Sequence, residues 1–373
     1  MSLFASKSGP SRMTPPATAA GLREALIPEK LFADVDAALK RITAHCEAYR
    51  GGVAWRSIGQ LALNLILYIG LIVLSFASFN AGLWQVSLLL ALPAAGMLVR
   101  LFIIQHDCGH GAFFKSNRAN HFVGWALSVL TFTPYGFWRD AHNRHHANSG
   151  NLSRRGMGGV DTLTVEEFKR LSPTKQRLYK VYRNPITLLF FGPPIYFIFL
   201  QRLPLGGPMP YSEVYFGMKG ERIWKSVMLL NVSLIMLYGI LGWLLGPLAT
   251  IIVIAPVISL AGIIGAWLFY IQHQYEEAYW RPHAEWDYKH AALFGSSHYY
   301  LPPFLQWFTG NIGLHHIHHL CSLIPNYRLQ ECYEASPDLQ KLPKLTFVDS
   351  LKSAGLSLWD EDSGRMVGFS ALR

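Results

Sequence analysis

The sequence predicts an all-α integral membrane protein with four transmembrane helices, which form two hairpins beneath a helical cap. Only 15% of its 373 residues are charged, against about 25% in soluble proteins, and its mean hydropathy is +0.21. Residues 57–99 and residues 226–275 contain no Asp, Glu, Lys or Arg. Because a crossing takes roughly 20 apolar residues, each stretch is long enough for two crossings and a turn. An ordinary soluble enzyme, a disordered chain and a secreted disulfide scaffold are therefore excluded.

The elements follow from this pattern in chain order. Residues 1–28 are rich in Ser, Pro and Ala and are predicted to form a flexible tail. Residues 29–56 mix apolar and charged side chains, which is typical of a helix on a membrane surface. The four crossings are predicted at residues 58–79, 83–104, 224–245 and 248–271. The membrane domain then covers residues 29–340, its cap covers 105–222 and 272–340, and residues 341–373 form a C-terminal tail.

The basic residues predict which way the hairpins face. Both hairpin tips are uncharged, whereas the open ends carry basic side chains such as Arg56, Arg139 and Arg222. Since positive residues are retained on the cytoplasmic side, both termini and the cap are expected there. Two shorter apolar segments, His121–Trp138 and Pro185–Leu200, contain helix breakers or have basic flanks. They are predicted to be interfacial or re-entrant and not to span.

The net charge of +10 predicts anionic lipid head groups as neighbours of the cap. Nucleic-acid binding is disfavoured, because no basic run is interleaved with aromatic residues. The expected location is a bacterial inner membrane, or the endoplasmic reticulum in a eukaryote, since the sequence shows no plastid-like transit signal and no retrieval motif.

Fifteen histidines are the most unusual feature of the composition, and three clusters place eight of them at helical spacing. These are His106 and His110 in HDCGH, His142, His145 and His146 in HNRHH, and His315, His318 and His319 in HHIHH. Positions i, i+3 and i+4 share one face of a helix, so each cluster presents its imidazoles together. One zinc ion takes about four ligands, so two ions are the simpler account. Imidazole suits iron, copper, zinc and nickel alike.

The three clusters resemble the histidine boxes HxxxH, HxxHH and HxxHH of the membrane fatty acid desaturases. The resemblance covers the chain from about Arg56 to Tyr333. Flanking strings are similar to the acyl-lipid Δ12, or ω6, branch, which adds a second double bond to a monounsaturated chain. These strings are HDCGHGAFF (106–114), FYIQHQYEEAYW (269–280) and GNIGLHHIHHLCSLIPNY (310–327).

The resemblance implies a centre of two Fe²⁺ ions held by nitrogen ligands, with a ninth histidine between the fourth crossing and the third box. His273 is favoured over His290 and His298, because an ionisable group at the end of a membrane helix is a functional candidate. His316 lies off the face of its box, and we expect it to support a ligand from outside the metal site or to be exposed.

Metal-binding imidazoles need an acceptor for the second ring nitrogen, which fixes the tautomer. Asn311, one turn before His315, is expected either to hold a metal-bound water or to cap the helix. The acidic candidates near the clusters are Asp107, Asp140, Asp161, Glu276 and Asp287, each of which could equally be a solvated surface acid.

The reaction implied by the resemblance is O2-dependent removal of two hydrogens from adjacent methylenes of a membrane-lipid acyl chain, with O2 reduced to water. The sequence contains no HPGG haem motif, no iron–sulfur cysteine spacing and no convincing GxGxxG loop. The two further electrons must therefore come from a separate donor, a ferredoxin or a b5-type cytochrome. The basic segment from Arg139 to Arg183 would attract such an acidic protein, although anionic phospholipid explains the same charge equally well.

Three alternatives remain at the level of sequence. A di-iron lipid, alkane or carotenoid hydroxylase or ketolase of the same superfamily uses a similar histidine-rich site, and only its products distinguish it. A metal transporter is disfavoured, because the charge-free stretches contain only His273, near one end. A non-enzymatic metal-binding membrane protein would predict that the histidines are dispensable.

Overall fold

The computed structural model describes residues 31–155, 159–204 and 220–372, so the tail predicted over residues 1–28 lies outside the described part. The described α-helices are, in chain order, α1 (Val35–Glu47), α2 (Ala54–Asn80), α3 (Trp84–His110), α4 (Asn117–Thr131), α5 (Tyr135–Asn148), α6 (Val165–Arg170), α7 (Pro173–Tyr182), α8 (Gly192–Ile198), α9 (Glu221–Leu245), α10 (Pro247–His273), α11 (Tyr288–Phe294), α12 (Pro303–Phe308), α13 (His315–Leu320), α14 (Asn326–Glu334), α15 (Pro337–Gln340) and α16 (Phe347–Ser353). The short strands are β1 (Leu163–Thr164), β2 (His298–Tyr299), β3 (Lys344–Leu345), β4 (Leu358–Asp360) and β5 (Arg365–Val367).

Four of the described helices, α2, α3, α9 and α10, are long and apolar enough to cross a membrane. The predicted all-α fold with two transmembrane hairpins is therefore confirmed. The first hairpin turns at Gly82, whose φ of +81° favours glycine, and the second turns at Gly246 with Pro247 in the first turn of α10. Large side chains on the outer faces are exposed, including Trp243 at 83% and Ile235 at 73%. Such surfaces suit contact with lipid and not with water.

Helix α3 extends six residues beyond the predicted crossing and ends at His110, with Gly111 in the left-handed conformation after it. The first histidine cluster is therefore part of the membrane helix. Its polar side chains are not solvated, since His106 and Asp107 are buried beneath the cap. Hydropathy alone ends the crossing too early here, because buried polar residues lower the apolar average without ending the helix.

Helix α4 lies at the cap end of α3. Near its start, Asn120 Nδ2 donates to the backbone oxygen of Phe114 (2.8 Å), and at its end Thr131 Oγ1 donates to Gln105 Oε1 (2.5 Å). Both ends thus contact the last turns of α3 or the residues just after it. The chain then bends at Phe132, whose φ is +56°, and returns as α5. Residues 121–138, which are expected to be interfacial or re-entrant, thus consist of most of α4 and the first turn of α5, and neither helix is among the four candidate spans.

The segment expected over residues 185–200 is a π-helical turn, Thr187–Phe191, followed by α8. Together with the residues to Arg202 it is bent by 58° from α7, as in a broken span or a re-entrant loop. Its contact with α10 is close, since a Cβ added at Gly262 would lie 3.0 Å from the ring of Phe197. The proline pair after Gly192 and the π-helical turn account for the irregular geometry.

The cap is completed by residues after 340, which are predicted from the sequence to form a separate tail. Strand β3 pairs in parallel with β2, and β4 pairs in parallel with β1 and antiparallel with β5. Trp359 and Met366 are buried between these strands and the rest of the cap. Residues 344–372 are therefore part of the folded cap, because burying these side chains stabilises the association.

Candidate metal centre

Nine histidines from four helices lie together where the cap meets the ends of α3 and α10. Helix α3 contributes its last turn, α10 contributes its final residue, and α5 and α13 are cap helices that lie across them. The nine residues are His106, His110, His142, His145, His146, His273, His315, His318 and His319, and all except the half-buried His110 are buried.

The nine imidazoles form two groups, and within each group one ring nitrogen per residue lies within 4.8 Å of all the others. The first group consists of His106, His110, His142, His146 and His318. The second group consists of His145, His273, His315 and His319. Both HxxHH clusters are divided between the groups, because neighbouring positions on a helix differ by about 100°. The rings of His146 and His319 stack at 4.0 Å and connect the groups.

The ring nitrogens within a group face each other at short distances. His273 Nε2 lies 3.0 Å from both His145 Nε2 and His315 Nε2. In the first group, His146 Nε2 lies 3.1 Å from both His142 Nε2 and His318 Nε2. Two nitrogens that bind one ion at about 2.1 Å are separated by roughly 3 Å or slightly more. The observed distances therefore fit nitrogens that share an ion.

Several buried ring nitrogens have no hydrogen-bond partner in the described part of the chain. Nε2 of His106, Nε2 of His110 and both ring nitrogens of His319 are buried and have no hydrogen-bond partner among the described residues. Each unsatisfied buried polar atom costs about 1–3 kcal/mol. A metal ion that accepts the lone pair of one nitrogen from each ring removes the cost at that atom, so the residues fit two nitrogen-ligated ions.

The imidazoles are held in the form that binds metal. Burial, followed by the neighbouring imidazoles, keeps the pKa of His142, His146 and His319 well below the usual value. Burial likewise keeps the pKa of His145 and His315 well below that value. The rings are therefore neutral at neutral pH, and neutral imidazole is the metal-binding species.

Asp107 is the one acidic candidate that contacts a histidine of the groups within the described residues. Its Oδ1 lies 3.2 Å from His106 Nδ1 and accepts a hydrogen bond when Nδ1 is protonated. Its Oδ2 accepts from the backbone nitrogen and from Nδ2 of Asn326, at 2.7 and 2.8 Å. A buried carboxylate in this position fixes the ring of His106 with Nε2 directed at the first group.

The other acidic candidates have different partners. Asp140 pairs with Arg139 (3.1 Å), and Glu276 pairs with Arg365 (3.2 Å). Asp287 caps α11 and accepts from His290. Each of these three carboxylates is paired with a basic side chain and not with an imidazole of the two histidine groups. Proximity to a histidine cluster along the sequence therefore does not predict which acidic residue contacts a ligand.

Asp161 and Asn311 also bond to no histidine of the groups among the described residues. Asp161 is buried, which raises the pKa of its carboxyl to about 6. Asn311 has a φ of +59°, and its Nδ2 donates to the backbone oxygen of Asn326 (3.1 Å). Its side chain thus supports the segment that holds Asp107.

The remaining histidine candidates lie outside the two groups. His290 is paired with Asp287 on the cap surface. His298 is buried, with its ring 5.4 Å from that of His316. The expectation that His316 could be exposed is wrong, because its side chain on α13 is buried and its ring faces that of His298.

Three further residues support the site and were not identified from the sequence. The ring of Trp138 stacks on His142 at 4.7 Å, and Ser149 Oγ lies 3.4 Å from His273 Nδ1. Asn326 holds Asp107, as described above. Trp138 could have been found, since it precedes His142 by four residues on one helix face. Ser149 and Asn326 give no periodic signal.

His273 is oriented from its other side by the backbone. Its Nδ1 donates to the carbonyl oxygen of Gly295 (3.2 Å), which leaves the Nε2 lone pair directed at His145 and His315. A cavity of about 40 Å³ opens beside His145 and His273, with Phe269 and Trp280 in its wall. Its volume is enough for one or more molecules of the size of water or O2.

Comparison with known proteins places this geometry in a family context. The family model "Fatty acid desaturase" matches residues 81–348. The chain is 38% identical over 336 residues to "Fatty acid desaturase" of Bacillus subtilis (strain 168), which covers 90% of this chain and 92% of that protein. It is 28% identical over 325 residues to "Omega-3 fatty acid desaturase, endoplasmic reticulum" of Vigna radiata var. radiata (82% and 76%). It is also 28% identical over 243 residues to "sn-1 acyl-lipid omega-3 desaturase (ferredoxin)" of Synechocystis sp. (63% of each).

Proposed function

The chain belongs to the fatty acid desaturase family of oxidoreductases, and we propose that it forms a second cis double bond, at Δ12 (ω6), in a monounsaturated acyl chain of a membrane lipid. The observation that carries the proposal is that nine histidines lie in two groups at the ends of two membrane helices. The strings around the boxes support the Δ12 position. The similarity to proteins named omega-3 desaturases favours the ω3 position as a second candidate.

Two iron ions held by the two groups would supply the oxidising power that removes hydrogen from an unactivated C–H bond. The described residues do the rest by holding and shielding the centre. Asp107 and the Gly295 carbonyl fix the rings of His106 and His273. Trp138 stacks on His142 and covers one face of its ring. The cavity beside His145 provides space for O2.

The acyl substrate is proposed to arrive from the bilayer, because the histidine groups lie at the ends of α3 and α10 and not on a distant cap surface. The electrons are proposed to come from a ferredoxin or a b5-type cytochrome. Relatives are named for each donor, such as "Acyl-lipid omega-3 desaturase (cytochrome b5), endoplasmic reticulum" of Arabidopsis thaliana. Arg154, which lines the cavity beside His145, is exposed, as is Arg144, and these charges would attract an acidic donor.

The test is analysis of fatty acid methyl esters from a host that makes monoenes but no dienes. The chain is expressed there with a competent donor, beside a His145→Ala, His146→Ala double variant and a His283→Ala control. His283 bonds to Asn151 outside both groups, so its variant should keep the activity. We expect a diene with its new bond at Δ12, made by the parent and by the control and missing from the double variant.

Other products would change the proposal. A triene that forms only when a Δ12 diene is supplied would support the ω3 candidate. A hydroxylated fatty acid would contradict desaturation. An unchanged profile from iron-loaded protein with both substrates and a working donor would contradict both positions.

A further inference from the structure

An open groove of about 380 Å³ lies between α4, the start of α5 and the first turn of α9, outside the two histidine groups. It is bounded by polar and aromatic side chains from all three helices. The lining residues are His121, Phe122, Trp125, Tyr135, Gly136, Arg139 and Arg222.

The polar side of the groove is positively charged. Arg139 donates to Asp140 Oδ1 (3.1 Å) and contacts the ring of His121 (3.2 Å). Arg222 Nε lies 3.8 Å from the other oxygen of Asp140, and its side chain is 73% exposed. One carboxylate thus faces two guanidinium groups and leaves one positive charge uncompensated. Asp140 lies between the two guanidinium groups, which are on the same side of the groove.

The apolar side of the groove is formed by α4. Phe122 is 72% exposed and Trp125 is 40% exposed. Helix α4 lies at the cap end of the membrane helices, and Arg222 lies in the first turn of the α9 crossing. The groove is therefore at the depth where aromatic and basic side chains meet lipid head groups.

We propose that this groove binds the phosphate of a phospholipid head group, with the upper part of the lipid tails against Phe122 and Trp125. A phosphate suits the site because guanidinium groups match its geometry and charge. The pair Arg139 and Arg222 supplies the donors, and the exposed aromatic rings supply the apolar contact. A lipid that only covered the apolar surface, with its phosphate unbound, would gain nothing from two guanidinium groups on one side of the groove.

Lipid retention by the purified full chain tests the inference. The protein is extracted in detergent, incubated with phosphatidylglycerol and examined by native mass spectrometry, beside Arg222→Gln and Lys225→Gln variants. Lys225 is a matched control, since it lies one turn along α9, is also 73% exposed and pairs with Glu221 outside the groove. We expect Arg222→Gln to lower the retained phosphatidylglycerol by about three- to tenfold, the loss of one charge-assisted contact at a partly exposed site. Lys225→Gln should leave it unchanged.

Three further comparisons test whether the bound group is the phosphate of a phospholipid. Arg222→Lys should retain more lipid than Arg222→Gln, because it keeps the charge. A neutral galactosyl diacylglycerol should be retained less than phosphatidylglycerol, and excess inorganic phosphate should not displace the phospholipid. Equal losses in the two glutamine variants, equal retention of the neutral lipid, or displacement by inorganic phosphate would each overturn the proposal. Lipid retention requires no turnover, so this result is independent of the fatty acid analysis.

Discussion

Single residues decide how the histidine rings are oriented, and Asp107 shows why this is difficult to read from sequence. Five acidic residues lie near the clusters along the chain, and only Asp107 reaches a histidine of the groups among the described residues. The helical spacing of the boxes follows from local geometry, so those eight histidines are recognisable as candidates from the sequence. The partner of a ring depends on tertiary contacts such as that between Asp107 and Asn326, 219 positions apart.

Replacing Asp107 should weaken metal binding. In Asp107→Asn one oxygen becomes an NH2 group, which must face either His106 Nδ1–H or the donors of Asn326. Loss of such a supporting acceptor lowers metal affinity about 10- to 100-fold. Iron per protein, measured by elemental analysis after dialysis against a weak chelator, should fall. Asp140→Asn is the matched control, since Asp140 pairs with arginines, and equal iron loss in both variants would contradict this role.

His273 should be required for the second ion. His273→Ala removes the nitrogen that lies 3.0 Å from both His145 and His315, so iron content should fall by about half and desaturation should be lost. His290→Ala, which removes a histidine paired with Asp287 on the surface, should retain its iron. Elemental analysis of both purified variants checks this. Full iron loading of His273→Ala would exclude it as the ninth ligand.

Among the elements, α12 is the one whose position is hardest to predict from the sequence. It is six residues long, yet it packs against the middle of the membrane helix α3. The ring of Phe308 fills the space above Gly96, and Arg100 lies over the Trp307 ring at 4.2 Å and donates to Asn64 (2.9 Å). Arg100 is ten positions before His110, or about 15 Å along the helix. A six-residue segment has too little periodicity to predict, whereas the 27-residue crossings are clear from hydropathy alone.

A methyl group at Gly96 should disturb this contact. A Cβ there would lie 2.6 Å from the Phe308 ring, so Gly96→Ala forces the ring to move. This change should lower the free energy of unfolding by about 1–3 kcal/mol. Gly70→Ala is the control, because a Cβ at this glycine of α2 meets nothing within 4 Å. Thermal unfolding in detergent, followed by tryptophan fluorescence, should show a lower midpoint for Gly96→Ala only. Equal midpoints would show that α12 is not held against α3 at Gly96.

At the scale of the whole molecule, the buried histidines make stability depend on pH. Burial lowers the pKa of His298 to about 4 and keeps the pKa of the cap-helix histidines in the two groups well below the usual value. The unfolded chain, with pKa values near 6.5, therefore binds more protons as the pH falls below about 6.5. The free energy of unfolding is thus highest above that pH and decreases as the pH falls towards the folded pKa values.

The metal-free protein should accordingly unfold at a lower temperature at pH 5.5 than at pH 7.5. Tryptophan fluorescence on chelator-treated protein in detergent measures the two midpoints. In His298→Asn one of these groups no longer titrates, so the difference between the two pH values should be smaller than in the parent chain. A midpoint independent of pH in the parent would contradict neutral burial of the rings.

At the same scale, the meeting of helix ends at one centre limits how the described helices can cross the membrane. His110 ends α3 and His273 ends α10, and both belong to the histidine groups, so these two ends lie on one side of the membrane. Helices α9 and α10 form a hairpin, so Glu221 begins on that side too. The chain between His110 and Glu221 must then cross the membrane an even number of times. The bent segment between Pro173 and Arg202, if it crossed alone, would break this requirement.

Reporter fusions test this topology. Alkaline phosphatase, which is active only outside the bacterial cytoplasm, should be active when fused after Gly82 or Gly246, at the two hairpin tips. It should be inactive after Arg183 and after Glu221, which lie before and after the bent segment, because the basic open ends of the hairpins favour the cytoplasm. A green fluorescent protein at the C-terminus should be fluorescent. An active fusion after Glu221 beside an inactive one after Arg183 would mean that the bent segment crosses alone, and the histidines of α3 and α10 could then not share one centre.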